Sequence, residues 1–194
     1  MNTKLSTFLL ASIGIVSQVP AGACTGITLK SKDGAIVAAR TIEWAESAMN
    51  NMYVVVPRNQ ELQSLTPSGM DGIKFRSKHG YVGLAVEQKE FMVEGINEKG
   101  LSAGLFYFPG YGKYQPYDAS LKYKCLADFQ VVSYVLAECG TLDEVKEALE
   151  KVRVIHIDPV HPLYIGGSLS PRVNKWCWKL WTGRYTFTII RWEY

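Results

Sequence analysis

The chain has 194 residues, of which 47% are hydrophobic and 20% are charged, and its formal net charge is +3. That length can build a hydrophobic core without disulfide bonds or metals. A charge this close to neutral argues against a nucleic-acid-binding protein, so we expect no nucleic-acid partner.

The first 23 residues have the three parts of an export signal peptide. Lys4 gives a positive start, residues 8–16 are apolar, and Ala21-Gly22-Ala23 is a small-residue cleavage site. The apolar stretch is too short to span a membrane, so we expect no stable membrane span. The predicted product is a secreted or periplasmic protein that begins at Cys24.

An unblocked cysteine in the first position carries two reactive groups. Its thiol, with a pKa of about 8.5, is a strong nucleophile once deprotonated, and its α-amine, with a pKa of about 8, can act as a base. No histidine is then needed. The three histidines have neither Cys/His pairing nor metal-ligand spacing, and we interpret them as surface or loop residues: His79, His156 and His161. We expect no cofactor or metal.

The same N-terminal residues leave a non-enzymatic alternative open. Bacterial lipoproteins also begin at a cysteine after small residues, and they carry lipid on both the sulfur and the amine. Against this, Ala21 stands three positions before Cys24, where such signals usually have a large aliphatic residue. A lipid-anchored surface protein would have no free nucleophile.

A hairpin is predicted directly after Cys24. Residues 25–31 and 35–40 are β-type runs, and Asp33-Gly34 between them is a strong signal for a tight turn. The hairpin would return the chain to the mature N-terminus.

The register of this hairpin follows if Asp33 and Gly34 are its two loop residues. Ile27 then pairs with Arg40, and Cys24 pairs with Glu43. A carboxylate beside the α-ammonium would orient it and raise its pKa. Strict alternation puts Arg40 on the face opposite Cys24, so contact between them would require a β-bulge.

Four more strands and two helices follow. Polar residues 59–72 are predicted to form a loop, and residues 97–100 a hairpin connection. The predicted strands lie at residues 52–56, 80–86, 91–96 and 101–108.

The first predicted helix covers residues 126–139 and ends at Gly140 as a left-handed cap. Thr141 to Glu144 form a capping box that opens a second helix over residues 142–151. Strands followed by helices that pack on them indicate an α+β domain.

The cysteines do not make a disulfide framework, because their spacings are irregular. We interpret Cys125 and Cys139, which lie beside an apolar pattern, as buried small hydrophobic residues.

Several short motifs occur in a fixed order over residues 24–160: Cys24-Thr25-Gly26, Arg40, Glu43, Asn97-Glu98-Lys99-Gly100-Leu101, and an aromatic segment before Pro109-Gly110. In this order and spacing they resemble the choloylglycine hydrolase family, which contains bile salt hydrolases and penicillin V acylases. The resemblance implies an N-terminal-nucleophile hydrolase with an αββα sandwich, of which only the N-terminal part is present. It also implies a homo-oligomer for the full-length protein.

The resemblance assigns roles to five residues. It makes Cys24 the nucleophile on a linear amide, puts Arg40 near the thiol, and gives Glu43 the task of holding the N-terminal amine. Phe106 and Tyr107 occupy the segment that helps to form the oxyanion hole in the family, and Tyr107 is the candidate donor because only its side chain carries a hydroxyl. The expected substrates are conjugated bile salts, cleaved to bile acid and glycine or taurine, with penicillin V as the alternative.

The composition changes from residue 164 onward. Four of the five tryptophans lie in this tail, at Trp176, Trp178, Trp181 and Trp192. We interpret residues 24–163 as the N-terminal part of the hydrolase domain and residues 164–194 as an atypical tail produced by a frameshift near Leu163. With half of a sandwich absent, an apolar face would be exposed, so we expect this chain to fold poorly and to have little or no activity.

Overall fold

The computed structural model describes residues 25–42, 49–107 and 114–157, together with the backbone of two later strands, Trp176–Thr182 and Tyr185–Ile189. The predicted export signal, Cys24, Glu43 and His161 lie outside the described residues. The described chain combines β-sheet with helices, so the prediction of an α+β fold is confirmed.

The strands and helices have the following bounds in chain order. The strands are β1 Gly26–Lys30, β2 Ile36–Arg40, β3 Met52–Val56, β4 Glu61–Gln63, β5 Lys74–Arg76, β6 Tyr81–Ala85, β7 Met92–Asn97, β8 Ser102–Tyr107, β9 Cys125–Ala127, β10 Arg153–Ile155, β11 Trp176–Thr182 and β12 Tyr185–Ile189. The helices are α1 Val131–Glu138 and α2 Leu142–Glu150, with 3-10 turns at Ala119–Lys124 and Asp128–Gln130.

One six-stranded sheet organises the molecule, with the strand order β12-β11-β8-β7-β6-β3. All of its neighbouring strands are antiparallel, and β6, β7 and β8 follow one another through hairpins. The remaining strands form three pairs: β1 with β2 and β4 with β5, both antiparallel, and β9 with β10, which is parallel. The strands predicted at residues 52–56, 80–86, 91–96 and 101–108 correspond to β3, β6, β7 and β8.

Helix α1 covers one face of this sheet, which we call the helix face. A Cβ placed on Gly95 of β7 would lie 2.7 Å from Leu136 Cδ1, so the helix approaches β7 more closely than a larger residue would allow. Phe91 and Phe129 meet edge-on in the core beneath it, with ring centroids 5.5 Å apart. Both rings are completely buried, as are Leu101 and Leu136. Most of the hydrophobic core therefore lies on this side.

The β1–β2 hairpin lies over the opposite face, which we call the hairpin face, and covers it only in part. Four large apolar side chains of β3, β6 and β7 remain exposed there, namely Tyr53 at 86%, Val55 at 74%, Ile96 at 47% and Val82 at 42%. Ile36 and Ala38 of β2 face the same surface across a cavity. A second layer is present on this side, but it is narrow.

The turn between β7 and β8 is fixed by the side chain of Asn97, which is only 4% exposed. Its Oδ1 accepts hydrogen bonds from the backbone N–H groups of Lys99 at 3.0 Å and Leu101 at 3.1 Å. Its Nδ2 donates to the carbonyl oxygens of Leu136 at 2.9 Å and Cys139 at 2.7 Å. One amide thus forms the predicted hairpin turn and ties it to the C-terminal end of α1.

The predicted helix over residues 126–139 is wrong in its first part. Residues Cys125–Ala127 form β9 and pair with Arg153–Ile155, and α1 begins only at Val131. The partner strand lies far along the chain, so local apolar spacing could not indicate it.

The prediction for the C-terminal cap of α1 and the prediction for the N-terminal cap of α2 have different outcomes. Gly140 is not among the glycines with positive φ, and Cys139 ends α1 in an extended conformation, so the left-handed cap is wrong. The capping box is confirmed, because Thr141 Oγ1 accepts the Glu144 N–H at 3.2 Å at the start of α2. Glu144 Oε2 accepts the N–H of Gly140 at 2.6 Å. The glutamate of the capping box therefore satisfies the backbone N–H of Gly140, the residue that was expected to cap α1.

The predicted loop over residues 59–72 contains a short strand. Glu61–Gln63 pair with Lys74–Arg76, and an ion pair between Glu61 and Arg76 joins the two strands. Three-residue strands with charged side chains resemble polar loops in sequence, which is why the pairing escaped prediction.

The tail contributes two strands to the sheet. Strand β11 pairs with β8, and β12 pairs with β11. The boundary near residue 163 and the frameshift interpretation stay predictions. Across the described helices, none is both long and apolar enough for a bilayer crossing.

Candidate functional site

The predicted hairpin forms, but its loop has three residues rather than two. The N–H of Ser31 donates to the Ala35 carbonyl at 2.9 Å, which leaves Lys32, Asp33 and Gly34 as the loop. Gly34 adopts a φ of +89°, a conformation that glycine accepts without strain. The additional loop residue shifts the pairing of the two strands by one position.

The register therefore differs from the prediction. Arg40 pairs with Gly26 and not with Ile27. The pair closes with Thr25 and Thr41, where the Thr41 N–H donates to the Thr25 carbonyl at 2.9 Å and the Thr25 N–H donates to Thr41 Oγ1 at 3.1 Å. Residues directly opposite each other share a face of the hairpin, so Gly26 and Arg40 do so. The predicted pairing of Cys24 with Glu43 lies outside the described residues.

Arg40 reaches from β2 into the six-stranded sheet. Its Nη1 donates to the Val93 carbonyl of β7 at 3.0 Å, and its Nε donates to the Thr41 carbonyl at 3.2 Å. The guanidinium also lies over the ring of Phe106, 4.6 Å from its centroid, in cation–π geometry. The predicted site residues Arg40 and Phe106 are thus in direct contact.

Phe106 joins the hairpin to the sheet. A Cβ on Gly26 would lie 2.7 Å from Phe106 Cζ, so the ring packs directly on the backbone of β1. Phe106 is 9% exposed and carries no hydrogen-bond donor. We call Gly26, Arg40 and Phe106 the Arg40 cluster. Within it, Phe106 supports the arginine and offers a ring face.

Tyr107 is the last residue of β8, and its backbone pairs with Trp176 of β11. Its side chain lies outside the described residues, so its role as a hydrogen-bond donor stays a prediction.

A cavity of about 410 Å³ lies between the hairpin and the hairpin face of the sheet. Its lining is mostly apolar and includes Ile36, Ala38, Leu84 and Ile96, with Glu94 of β7 and Ser102 of β8 as polar contributors. Burial raises the pKa of the half-buried Glu94 carboxyl, and the nearby Arg40 charge opposes that rise. The sequence analysis missed Glu94, although a carboxylate inside an apolar strand was a visible signal.

Cys125 and Cys139 are both buried and free, at 0% and 1% exposure, so their prediction as buried residues is confirmed. Burial raises the pKa of both thiols, that of Cys139 to about 12. Neither thiol is therefore a reactive nucleophile near neutral pH.

His156 lies in the segment directly after β10, outside helix and strand, as predicted, but its side chain makes specific contacts. Its Nδ1 lies 2.6 Å from Oδ2 of the fully buried Asp128, and its ring stacks on Tyr114 at 5.6 Å. Asp128 Oδ1 accepts the N–H groups of Phe129 at 3.0 Å and Ile157 at 3.2 Å, while burial raises the pKa of this carboxyl. The arrangement ties the end of β10 to the turn before α1, which is a structural function.

In the described part of the chain, no group of three or more histidine, cysteine or acidic side chains is arranged so that it could hold a metal ion. His79 Nδ1 lies 3.7 Å from Oε1 of Glu98.

Comparison with known proteins places these features in a family. The model for linear amide C-N hydrolases of the choloylglycine hydrolase family matches residues 24–165. Bile salt hydrolase/transferase of Clostridium perfringens is 28% identical over 136 residues, which are 69% of this chain and 40% of that protein. The corresponding enzyme of Lactiplantibacillus plantarum is 26% identical over 148 residues, 73% of this chain and 43% of that protein.

Solved structures give the same fold. A mutant of conjugated bile acid hydrolase from Clostridium perfringens has a TM-score of 0.65 at 22% identity, covering 87% of this chain and 48% of that one. Penicillin V acylase from Agrobacterium tumefaciens has a TM-score of 0.61 at 22% identity, covering 81% and 43%. The fold is thus shared with both solved structures over part of their length.

The chain spans less than half the length of the relatives that it matches. The matched residues nevertheless include most of the chain and contain all of the described elements from β1 to β10. The chain belongs to the choloylglycine hydrolase family of linear amide C-N hydrolases.

Proposed function

We propose that export cleavage exposes Cys24 and that this residue is the nucleophile in the hydrolysis of conjugated bile salts. The observation that carries the proposal is the Arg40 cluster. Arg40 lies opposite Gly26, two residues after Cys24, and its side chain is on the sheet side of the hairpin. If the strand period of two continues from Gly26 to position 24, Cys24 would share the face of Gly26 and Arg40, and contact between Cys24 and Arg40 would then need no β-bulge.

The proposed reaction balances with groups of this chain and one water. The Cys24 thiolate attacks the amide carbonyl, and the C–N bond breaks as the N-terminal amine passes a proton to the leaving nitrogen. Water then hydrolyses the thioester and restores the thiol. Arg40 favours the thiolate through its positive charge, Glu43 holds the amine, and the Tyr107 hydroxyl stabilises the oxyanion.

Bile salts are the first choice of substrate because the two relatives described above are named bile salt hydrolase/transferase. Penicillin V is the second candidate, since the penicillin V acylase structure shares the fold. The chain is proposed to act after secretion or export to the periplasm, with the full-length protein forming homo-oligomers.

We also propose that the chain as it stands turns over substrate poorly. Apolar side chains on the hairpin face remain exposed, and the matching relatives are more than twice as long as the matched region. A lipid-anchored protein with an acylated Cys24 is the remaining alternative.

The test uses the full chain exported by a bacterial host, with Cys177→Ala removing one other thiol. Edman degradation and intact mass should show an unblocked Cys24 as the first residue. Iodoacetamide should then alkylate Cys24 far faster than Cys125 or Cys139, because both of those thiols are buried. A different first residue, or a mass increment from acyl chains, would refute the nucleophile assignment.

The substrate class is tested by how strongly each candidate substrate protects Cys24 from alkylation, since turnover is expected to be poor. Glycocholate and penicillin V, each below its aggregation limit, are added before iodoacetamide, and Cys24 labelling is followed by mass spectrometry. We expect glycocholate to slow labelling more than penicillin V does. Stronger protection by penicillin V would reverse the substrate assignment, and efficient release of glycine would refute the proposal of poor turnover.

A further inference from the structure

Strand β3 is an edge of the six-stranded sheet, and its pairing with β6 shows which of its backbone groups face outward. The Glu98 N–H donates to the opposite Gly80 carbonyl at 3.0 Å, so Gly80 bonds toward β7. Neighbouring residues of a strand bond to opposite sides, and Tyr81 therefore bonds toward β3, where it pairs with Val56. The backbone groups of Val56, and of every second residue before it, are thus used in the sheet.

The residues between them, Tyr53 and Val55, present their backbone N–H and C=O groups to the open edge. Neither N–H has an acceptor in the part of the chain that the structure describes. The pairing of β3 with β6 continues without a bulge from Met52 to Val56, and none of these five residues is charged or a proline. The edge therefore lacks the features that usually prevent another strand from pairing there.

Strand β4 has an open edge of the same kind. The N–H of Ser64, directly after β4, donates to the Ile73 carbonyl at 2.9 Å on the side of β5. By the same alternation, the backbone groups of Glu61 and Gln63 point away from β5. Their carbonyls accept side-chain amides alone, at 3.2 and 3.4 Å, and their N–H groups have no acceptor among the described residues.

Both open edges border one cavity of about 420 Å³, which we call the β3–β4 cleft. Residues 54–57 line one side of it and residues 60–63 the other. The cleft is closed where the two strands meet, because the buried Ser77 Oγ donates to the Pro57 carbonyl at 2.6 Å and accepts the Gln60 N–H at 2.9 Å. A cleft with one closed end between two strands admits a single extended segment rather than the edge of another sheet.

The β3–β4 cleft has an apolar floor and no net charge on its rim. Three buried side chains line it from the core: Phe75, Tyr81 and Met92. On the rim, Glu61 forms an ion pair with Arg76, and Lys89 Nζ lies 3.8 Å from Glu90 Oε1. The cleft therefore favours an uncharged segment that has apolar side chains at alternate positions.

We infer that the β3–β4 cleft binds one extended, uncharged segment of another polypeptide as an added β-strand. The open backbone groups of β3 and β4 give the affinity, and the apolar floor selects the alternate side chains of the segment. The inference does not rest on the proposed function, since neither Cys24 nor the Arg40 cluster lines the cleft.

The test uses the exported full chain, labelled with ¹⁵N, and a short capped peptide of alternating threonine and valine. Amide hydrogen exchange should slow at the four outward N–H groups, those of Tyr53, Val55, Glu61 and Gln63. At a peptide concentration about ten times its Kd, we expect exchange there to slow by about tenfold, because only the free chain exchanges. The inward N–H of Leu62, which already bonds toward β5, should be unchanged. Protection that does not follow this alternation would overturn the inference.

The control peptide has the same sequence with N-methyl groups on its valines. It keeps the apolar side chains but has lost backbone donors, so it should give no protection at the concentration used for the first peptide. Equal protection by the two peptides would mean that the cleft binds apolar groups without adding a strand, and the inference would be wrong.

Two variants of the chain separate the backbone of β3 from its side chains. Val55→Pro removes one outward N–H, which an edge strand tolerates, and should raise the Kd of the peptide by about tenfold. Val55→Ala shortens the same side chain but keeps the N–H, and it should change the Kd by less than about threefold. Wild-type affinity in a folded Val55→Pro variant would contradict the inference. Should that variant fail to fold, the comparison of the two peptides still decides.

The chain alone provides the last measurement. Without peptide, the four outward N–H groups should exchange as fast as exposed amides do. Protection that is already present would overturn the inference. Light scattering would then show which occupant is responsible, since a dimer would put a second copy in the cleft and a monomer would put another part of the same chain there.

Discussion

The two faces of the six-stranded sheet differ in how they are covered. On the helix face, Phe91 and Phe129 beneath α1 and Leu136 of α1 itself are completely buried. On the hairpin face, Tyr53 and Val55 are 86% and 74% exposed, although the β1–β2 hairpin lies nearby. The helix face therefore supplies most of the hydrophobic stabilisation, whereas the candidate site is built on the face with the thinner cover.

The helix face therefore mainly stabilises the fold, whereas the hairpin face carries the candidate site. The Arg40 cluster depends on a two-stranded hairpin, and such a hairpin is marginally stable unless it packs on another layer. Here Phe106 of the sheet packs on Gly26 of the hairpin, and the Val93 carbonyl of the sheet accepts a hydrogen bond from Arg40. We expect changes on the helix face to alter global stability and changes on the hairpin face to alter the site first.

The largest effect is expected for Phe129→Ala on the helix face. Phe129 is completely buried and meets Phe91 edge-on, so its removal leaves a cavity and should lower the free energy of unfolding by about 3–5 kcal/mol. Val55→Ala on the hairpin face is the control and should change it by less than about 0.5 kcal/mol. Urea unfolding followed by circular dichroism measures both. Similar losses in the two variants would contradict the comparison of the faces.

Asn97→Ala should be the next most destabilising change, at about 3 kcal/mol, because it leaves buried carbonyl and N–H groups unpaired. The groups affected are the carbonyls of Leu136 and Cys139 and the N–H groups of Lys99 and Leu101. The exposed Asn51→Ala serves as the control in the same urea experiment. A loss no greater than that of the control would show that the turn does not depend on this amide.

The sequence predicted the strands of the sheet well, because β3, β6, β7 and β8 are long enough to show their character locally. It failed for β9 and β4, which are three-residue strands whose partners were not recognised. Local sequence patterns reflect only a residue's neighbours along the chain, whereas the pairings of β9 and β4 depend on tertiary contacts.

For the site, the sequence predicted Arg40 and Phe106 but not their contact. The register could not be settled because Asp33-Gly34 fits both a two-residue loop and the end of a three-residue loop. The hydrogen bond from the Ser31 N–H to the Ala35 carbonyl and the absence of a positive φ at Asp33 separate the two loops. Glu94 was not predicted because its place in the cavity depends on the position of β2 over β7, which the sequence does not show locally. The roles of Cys24, Glu43 and Tyr107 stay predictions.

Gly26→Ala tests how firmly the hairpin face holds the hairpin. The new methyl would lie 2.7 Å from Phe106 Cζ, so the ring must move, at an expected cost of about 1–3 kcal/mol in unfolding free energy. Gly80→Ala is the control, since its nearest neighbour would be an ordinary 3.6 Å away. Adding Phe106→Leu to Gly26→Ala should recover part of the loss. Failure of that recovery would mean that another contact causes the destabilisation.

Thr28→Val should be mildly stabilising. Thr28 Oγ1 is buried on the hairpin and has no hydrogen-bond partner among the described residues, so replacing the hydroxyl by a methyl should raise the free energy of unfolding by about 1 kcal/mol. Thr28→Ser keeps the hydroxyl and should not stabilise. Destabilisation by valine would show that the hydroxyl has a partner that it needs.

The smallest effect on stability is expected for the exposed ion pair between Arg58 and Glu98. Arg58 donates three hydrogen bonds of 2.6–2.9 Å to the Glu98 carboxylate and lowers its pKa from 4.5 to about 2. Because the folded-state pKa is the lower one, this contribution to stability is present above pH 4.5 and is lost as the pH falls toward 2.

Glu98→Gln should therefore flatten the dependence of the urea midpoint on pH between 4.5 and 2, whereas the exposed Glu147→Gln should not. Because the pair is exposed to solvent, added salt should weaken the difference between wild type and Glu98→Gln. A pH dependence that is identical in wild type and Glu98→Gln would mean that the ion pair contributes nothing to folding. Asp128 and Glu94 could not replace it as a source of acid sensitivity, because burial raises the pKa of both carboxyls, so their protonation at low pH favours the folded state.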